Sequence, residues 1–414
     1  MPFEVEMELS EQNSRNNLIA FLWHAVFLAL TVSLVEVNTV VPALLLKLGA
    51  SSFLLGLFTT ITLGGASFAQ LFFAGVLLNR PRKKGALLLG INLRVGALFG
   101  LALTFAWSDR LGSTTTLVIL FLLIALFSLS GAFANISFTD LLGKSIRKER
   151  RKTFFTAKQI INSAGLLVST LVARTILKSV DFPGNSVVLF SLAGILLLVA
   201  SLGFWRLREV EGEGRRRSFF SFVRQIPGEI RRNPNLKRYL GIMNTLGVGM
   251  GVPPFLVLYA REHFQLTAEV VGNILFFITF GLLVAGLFLF KFAARFNYRE
   301  LLFAALGLQL ATLLGAVLLH GSATASLFVF TLAGMFLATY RMAIGGLLLE
   351  ISTMENRTVY AGIAGAGSIL PLIAPLAAGA VLPFVSFLPL LVVVVVVVTA
   401  SGFLIRGIEC RPLK

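Results

Sequence analysis

Polar and apolar residues are segregated along this chain rather than alternating. Runs dominated by Leu, Val, Ile, Phe, Ala and Gly recur from residue 18 to residue 405, parted by short polar breaks. At about 1.5 Å per residue, a run of about 20 residues crosses a hydrocarbon layer about 30 Å thick. The runs lack the two-residue alternation of a membrane barrel, and lipid offers no partner for a backbone amide, so each must satisfy its own amides as a helix. The pattern predicts spans at 18–46, 53–78, 85–107, 114–142, 153–177 and 186–205, then at 239–260, 267–292, 300–320, 323–350, 358–383 and 386–405. The Val392–Val398 run reads as lipid-facing filler.

The expected fold is therefore all-α and integral to the membrane, with twelve transmembrane helices in two pseudo-twofold-related six-helix bundles. Residues 1–17 form a tail, 18–205 the first bundle, 206–238 a basic linker, 239–405 the second bundle and 406–414 a second tail. The halves echo each other in sequence. VPALLLKLGASSFLLGLFTTITLGG at 41–65 is answered by VPPFLVLYAREHFQLTAEVVGNILFFITFGLL at 252–283, so that Pro42 matches Pro253 and Gly56 matches Gly272. Asp140-x6-Arg147 is answered by Glu350-x6-Arg357. Repeats of this kind place a pseudo-twofold axis along the membrane normal and a solute site near the midplane between the halves.

Composition agrees: 57% of residues are hydrophobic, 13% are charged and mean hydropathy is +0.88, whereas a soluble domain carries about 25% charged residues. A net charge of +17 suggests nucleic acid only until its location is read. With both termini cytoplasmic, the outer loops hold only Lys47, Arg110, Lys178 and Arg261 of the 36 Lys and Arg, and most of the rest lie in inner loops and tails. Topology accounts for the charge, and no nucleic-acid partner is expected. The first 17 residues carry Glu4, Glu6, Glu8 and Glu11 and read as a cytoplasmic tail rather than a cleaved leader. The linker, rich in Arg from Arg206 to Arg238, is expected to lie on anionic headgroups, with an amphipathic helix around Phe219 to Ile230. A single cysteine, Cys410, excludes an internal disulfide and a cysteine metal cluster. No phosphate loop, metal-ligand cluster or nucleophile elbow occurs, so neither enzyme chemistry nor a cofactor is expected.

GVLLNRPRKK, with Gly75, Asn79, Arg80, Arg82, Lys83 and Lys84, resembles the G-x-x-x-D-R-x-G-R-K signature between the second and third helices of the major facilitator superfamily. Asn79 replaces the usual aspartate and Arg82 the second glycine. A worn second copy is ARFNYR, with Arg295 and Arg299 matching. The Asp140/Arg147 and Glu350/Arg357 pairs are similar to the Glu-x6-Arg pairs of its sugar porters. The resemblance covers all twelve spans and implies secondary transport by alternating access. It implies a cytoplasmic gate in which Asn79, Arg80, Arg147, Arg295 and Arg357 meet or flank Asp140 and Glu350 when the inner side is closed. It also implies a central cavity lined mainly by the first, fourth, seventh and tenth helices. The Gly-Pro-Gly-Gly signature of drug antiporters is missing from the fifth helix, which weakens a multidrug assignment.

Deep charges are expensive in lipid and point to a solute or ion path. Glu36, Arg94 and Arg341 are the three nearest to span centres. Glu36 is the proton-coupling candidate, since a carboxylate in a cavity can load and release a proton as access alternates; the alternative is a permanent pair with Arg94 or Asn38. Arg341 is the candidate for an anionic group on the solute, because guanidinium holds carboxylate bidentately. Arg94 lies on a helix type that packs outside the cavity, so a structural role is expected of it. Lys158 and Arg174 are near span ends and are expected to reach water. Asn38, Asn135, Asn162, Asn244 and Tyr340 are candidate hydrogen-bonding partners for the solute, and Gln159 shares their chemistry. His24 sits with Trp23 at interfacial depth. Gly362, Gly365, Gly367, Pro371, Pro375 and Gly379 are expected to break up the eleventh helix.

The expected function is secondary active, proton-coupled transport of a small organic solute, with two deep Arg against one deep Glu pointing toward an anion. The alternatives are export of amphipathic drugs or lipids, which 38 Phe would suit, and a non-transporting scaffold or receptor acting through the linker. The expected partners are the lipid bilayer, a small-molecule solute and protons, with the protein a monomer in the plasma membrane, or the inner membrane of a Gram-negative cell.

Overall fold

The computed structural model describes residues 11–65, 69, 72, 73, 77, 80, 82–146, 148–209, 227–292, 295–318, 322–352, 360, 363–365 and 367–409. Its main helices are α1 (Glu11–Val32), α2 (Val40–Lys47), α3 (Ser52–Thr59), α4 (Lys84–Ala106), α5 (Ser113–Ser145), α6 (Lys148–Ser179) and α7 (Gly184–Trp205) in the first half. The second half holds α8 (Pro234–Thr245), α9 (Val252–His263), α10 (Ala268–Phe292), α11 (Tyr298–Leu318), α12 (Ala323–Ile351), α13 (Ile369–Val381) and α14 (Phe387–Arg406). Among the described residues, 11 helical segments are long and apolar enough to cross a membrane. The predicted second span is described at its start, as α3 and a π-helical turn over Thr60–Gly65. Of the helix expected in the linker, only residues 227–232 fall in the described part, and they are helical.

Two predicted spans are not continuous. The first is broken between α1 and α2: Ser33–Val35 tightens to 3-10 geometry, Glu36 turns extended, and the helix restarts at Val40. The seventh is broken in the same way by 3-10 winding over Leu246–Gly251 before α9 restarts at Val252. Both restarts place a Val-Pro pair, Val41-Pro42 and Val252-Pro253, in the first turn. Proline has no N–H to give and its fixed φ suits a helix start, so the pair is tolerated where a helix begins and disfavoured inside one.

The repeat is also visible in a contact that the sequence did not announce. At the start of α1, the Asn17 amide donates to the carbonyl of Arg208 (2.9 Å), and the Arg208 N–H donates back to Asn17 Oδ1 (3.0 Å). At the start of α8, Asn235 makes the same reciprocal pair with the backbone of Glu409, at 3.3 and 3.4 Å. Each bundle is thus closed where its first and last helices meet, on the face that carries both termini, here the terminal face. The opposite side is the far face.

The described contacts between the halves include a set that runs from mid-depth to the far face. α3 lies against α13, where Ser52 Oγ donates to the Gly379 carbonyl (2.8 Å) and Thr60 Oγ1 to that of Leu372 (2.8 Å). A Cβ on Gly56 would run into the Pro375 carbonyl, and one on Gly379 into the Ser52 carbonyl, so glycine is required at both close approaches. α6 lies against α10 through Thr170 to Thr279 (3.2 Å), Arg174 to Asn273 Oδ1 (2.7 Å) and the Lys178–Glu269 ion pair (3.5 Å). The Arg174 stem packs on Gly272. Arg174 does not reach to water as the sequence suggested; it fastens one half to the other. Toward the terminal face, the contacts described for Asp140 stay within its own half.

Candidate functional site

The break in the first span decides the surroundings of Glu36. Unwinding frees the backbone N–H of Asn38, which donates to Glu36 Oε2 (2.8 Å) beside Thr39 Oγ1 (2.8 Å), while the Asn38 amide donates to Oε1 (2.5 Å). The carboxylate therefore satisfies three donors of its own loop, just ahead of the restart of α2. Asn38 is buried and committed to Glu36, which removes it as a free solute contact. Arg341, on α12 in the other half, attracts Glu36 electrostatically, and no direct salt bridge joins them. The Arg341 side chain is exposed on α12.

A cavity of about 390 Å³ opens in the first half beside the break, lined by Val35 and Val37 on either side of Glu36, by Phe58 and Thr62, by Arg94, and by Phe127, Ser128, Gly131 and Asn135. Arg94 therefore departs from its expected structural role outside the cavity. Its guanidinium lies on the Phe127 ring, 4.2 Å from the centroid, and a Cβ on Gly131 would be 3.4 Å from its Nε. That Nε is buried with no hydrogen-bond partner, and among the described residues no carboxylate pairs with the group. Gly131 stands nine residues before Asp140, as Arg341 stands nine before Glu350. The repeat thus leaves an empty register on α5 that the side chain from α4 fills.

Asn135 is exposed and lines this cavity, as the sequence suggested. Asn162 is exposed on α6. Asn244 is tied to the backbone: its amide donates to the carbonyls of Leu240 (2.8 Å) and Gly367 (2.6 Å) and accepts from the N–H groups of Ile369 (2.9 Å) and Leu370 (2.8 Å). All four hydrogen-bonding positions are used, one on the α8 backbone and three at the start of α13, where the eleventh span is interrupted. Tyr340 is buried, stacked on Phe336 (5.6 Å) and set against the Gly247 backbone in the seventh-span break. His24 is buried too, with Nδ1 3.3 Å from the Ala200 carbonyl and its ring 4.6 Å from that of Phe204. Lys158 lies near Phe138 (5.2 Å) and Phe154 (5.9 Å) and adds a further partly buried cation to the first half.

The expected gate is only partly described. Asn79, Arg147 and Arg357 lie outside the described residues. Asp140 pairs with Lys83 (3.0 Å) and with Lys144 one turn on (2.7 Å), both in its own half. Arg80 is exposed, and Arg295 is exposed against Phe292 (5.2 Å). Glu350 is partly buried near the end of α12. The loop residues next to Arg80 fix the bundle itself: the N–H groups of Lys83 and Lys84 donate to the Glu209 carboxylate (2.6 and 2.9 Å) at the start of α4. Lys84 Nζ donates to the carbonyls of Trp205 (2.7 Å) and Leu207 (3.0 Å) at the end of α7. An acid at a helix start and a cation at a helix end both complement the helix dipole.

No protein-family model and no curated protein sequence matches the chain. Its shape is similar to solved structures of a D-xylose-proton symporter (TM-score 0.69, 14% identity, 96% of this chain and 97% of that one) and of the nucleoside transporter NupG (0.64, 14%, 95% and 98%). It is also similar to an auto-inhibited POT family peptide transporter (0.65, 11%, 95% and 96%). At such low identity the likeness concerns architecture. The chain shares the all-helical membrane fold of these transporter structures.

Proposed function

We propose that the protein is a secondary transporter that carries a small organic anion by alternating access, coupled to protons through Glu36. The observation that carries this reading is a carboxylate at an unwound break in one half, beside a cavity, within electrostatic reach of a guanidinium on a helix of the other. A solute anion and Glu36 compete for Arg341. Protonation of Glu36 releases Arg341 to hold the anion; departure of the anion and the proton restores the attraction between the halves. Lys158, Arg94 and Arg341 against Glu36 leave the deep region cationic, which favours an anionic solute.

The excess of Lys and Arg on the terminal face supports cytoplasmic termini in a plasma or inner membrane, and the conformation is then open to the cytoplasm. In proteoliposomes offered a panel of organic anions, Glu36→Gln should remove the dependence of uptake on a pH gradient. Arg341→Gln should raise KM by about tenfold or more, the worth of one charge-assisted pair. Uptake by Glu36→Gln that follows the pH gradient as the parent does would refute the coupling assignment. The apolar part of the cavity wall supports a second reading, export of amphipathic compounds. Efflux of cationic dyes would favour that reading over anion transport.

A further inference from the structure

We propose that the cavity beside Arg94 is a binding pocket for an apolar carboxylate, its acid group held by the Arg94 guanidinium and its hydrocarbon part by the phenylalanine and valine wall. Neither Glu36 nor Arg341 lines this cavity, so the pocket is a site distinct from the coupling pair.

A guanidinium at mid-span that faces no carboxylate is a cation awaiting a counter-ion, because desolvation of an unpaired charge in a membrane protein is expensive. Stacking on Phe127 holds the plane of the group while leaving its N–H edge free for bidentate pairing. The unpartnered, buried Nε supplies one donor of that edge. Gly131 keeps the space next to it clear, and Ser128, Thr62 and Asn135 add polar atoms nearby. Val35, Val37, Phe58 and Phe127 make the remaining wall apolar, which suits a ring or short alkyl chain rather than a sugar. The volume of about 390 Å³ lies in the range of small-molecule pockets.

The inference does not depend on transport, since binding alone tests it and a failure of proton coupling leaves it standing. The test is equilibrium binding of radiolabelled 3-phenylpropionate to the purified protein in lipid nanodiscs. Saturable binding is expected, displaced by the unlabelled acid and not by 3-phenylpropylamine. Arg94→Gln should weaken it by about tenfold or more, and Arg94→Lys should retain part of it. Gly131→Val keeps the charge but fills the space beside it, and should weaken binding as well; it decides the matter if Arg94→Gln does not elute as a monodisperse protein. Displacement by laurate at lower concentration than by 3-phenylpropionate assigns the acid to the lipid phase, and the reverse order assigns it to water; both support the pocket. Absence of saturable binding by both acids, equal displacement by the amine, stronger displacement by phenylphosphonate, or wild-type binding in Arg94→Gln and Gly131→Val would overturn the proposal.

Discussion

Asn244 and Asn135 have the same side chain at similar depth in their spans, and what surrounds each amide sets its work. Asn244 bonds four backbone groups where the eleventh span starts again, while Asn135 faces the cavity. Replacing Asn244 by Leu leaves two N–H groups and two carbonyls to find other partners, and should lower stability by about 1–3 kcal/mol in a thermal or denaturant unfolding series in detergent. Asn135→Ala should stay within about 0.5 kcal/mol in the same series. Equal losses in the two variants would show that Asn244 has no special structural share. Nothing in the sequence separates these two asparagines. Arg94 and Arg174 make the same point: an arginine expected to be structural lines a cavity, and one expected to reach water ties the halves together.

Among the helices, the breaks at 33–39 and 246–251 matter most, because they release backbone donors at the depth where a solute path is expected. The Val-Pro pairs that mark the restarts were visible as a repeat, but a repeat alone does not say that the chain unwinds before it. The halves have diverged at this level. Arg94 stands ten residues after Lys84 as Gln309 stands ten after Arg299, so a charge in one half answers a neutral amide in the other. Gln309 is buried against Gly249, and its Nε2 also has no partner. The contact of α3 with α13 depends on Gly56 and Gly379. Gly56→Val or Gly379→Val should separate these helices and reduce the far-face-closed population by about tenfold, the effect of about 1–2 kcal/mol of overpacking on a two-state balance. Slower cross-linking between cysteines placed at Lys178 and Glu269 is the readout, and an unchanged rate would mean that the helices absorb the added methyl groups in place.

For the whole molecule, the closed end is the far face, held by the α3–α13 and α6–α10 contacts. Of the charges expected to latch the terminal face, Asp140 pairs within its own half, with Lys83 and Lys144. This arrangement fits a hollow open to that face, since a latch between halves is broken when its end is open. In a Cys410→Ser background, a short bifunctional thiol reagent should join Lys178→Cys to Glu269→Cys readily in the resting protein and stop solute flux. The same reagent should join Arg80→Cys to Arg295→Cys far more slowly. Comparable rates for the two pairs would contradict a resting state closed at the far face.

The amino-acid sequence by itself determined the solvent, the number of spans, the duplication and the residues whose charge is out of place in lipid, because hydrophobic run length and the cost of a buried charge are local properties of the chain. It was also enough to point to Glu36 and Arg341 as a pair to watch. Tertiary structure decided which helices unwind, which amides are already occupied, that Arg94 lines a cavity, and which end of the hollow is closed. Those outcomes depend on side chains from distant segments competing for the same donors, acceptors and space, as when Arg94 fills the room left by Gly131, and no single stretch of sequence contains both competitors.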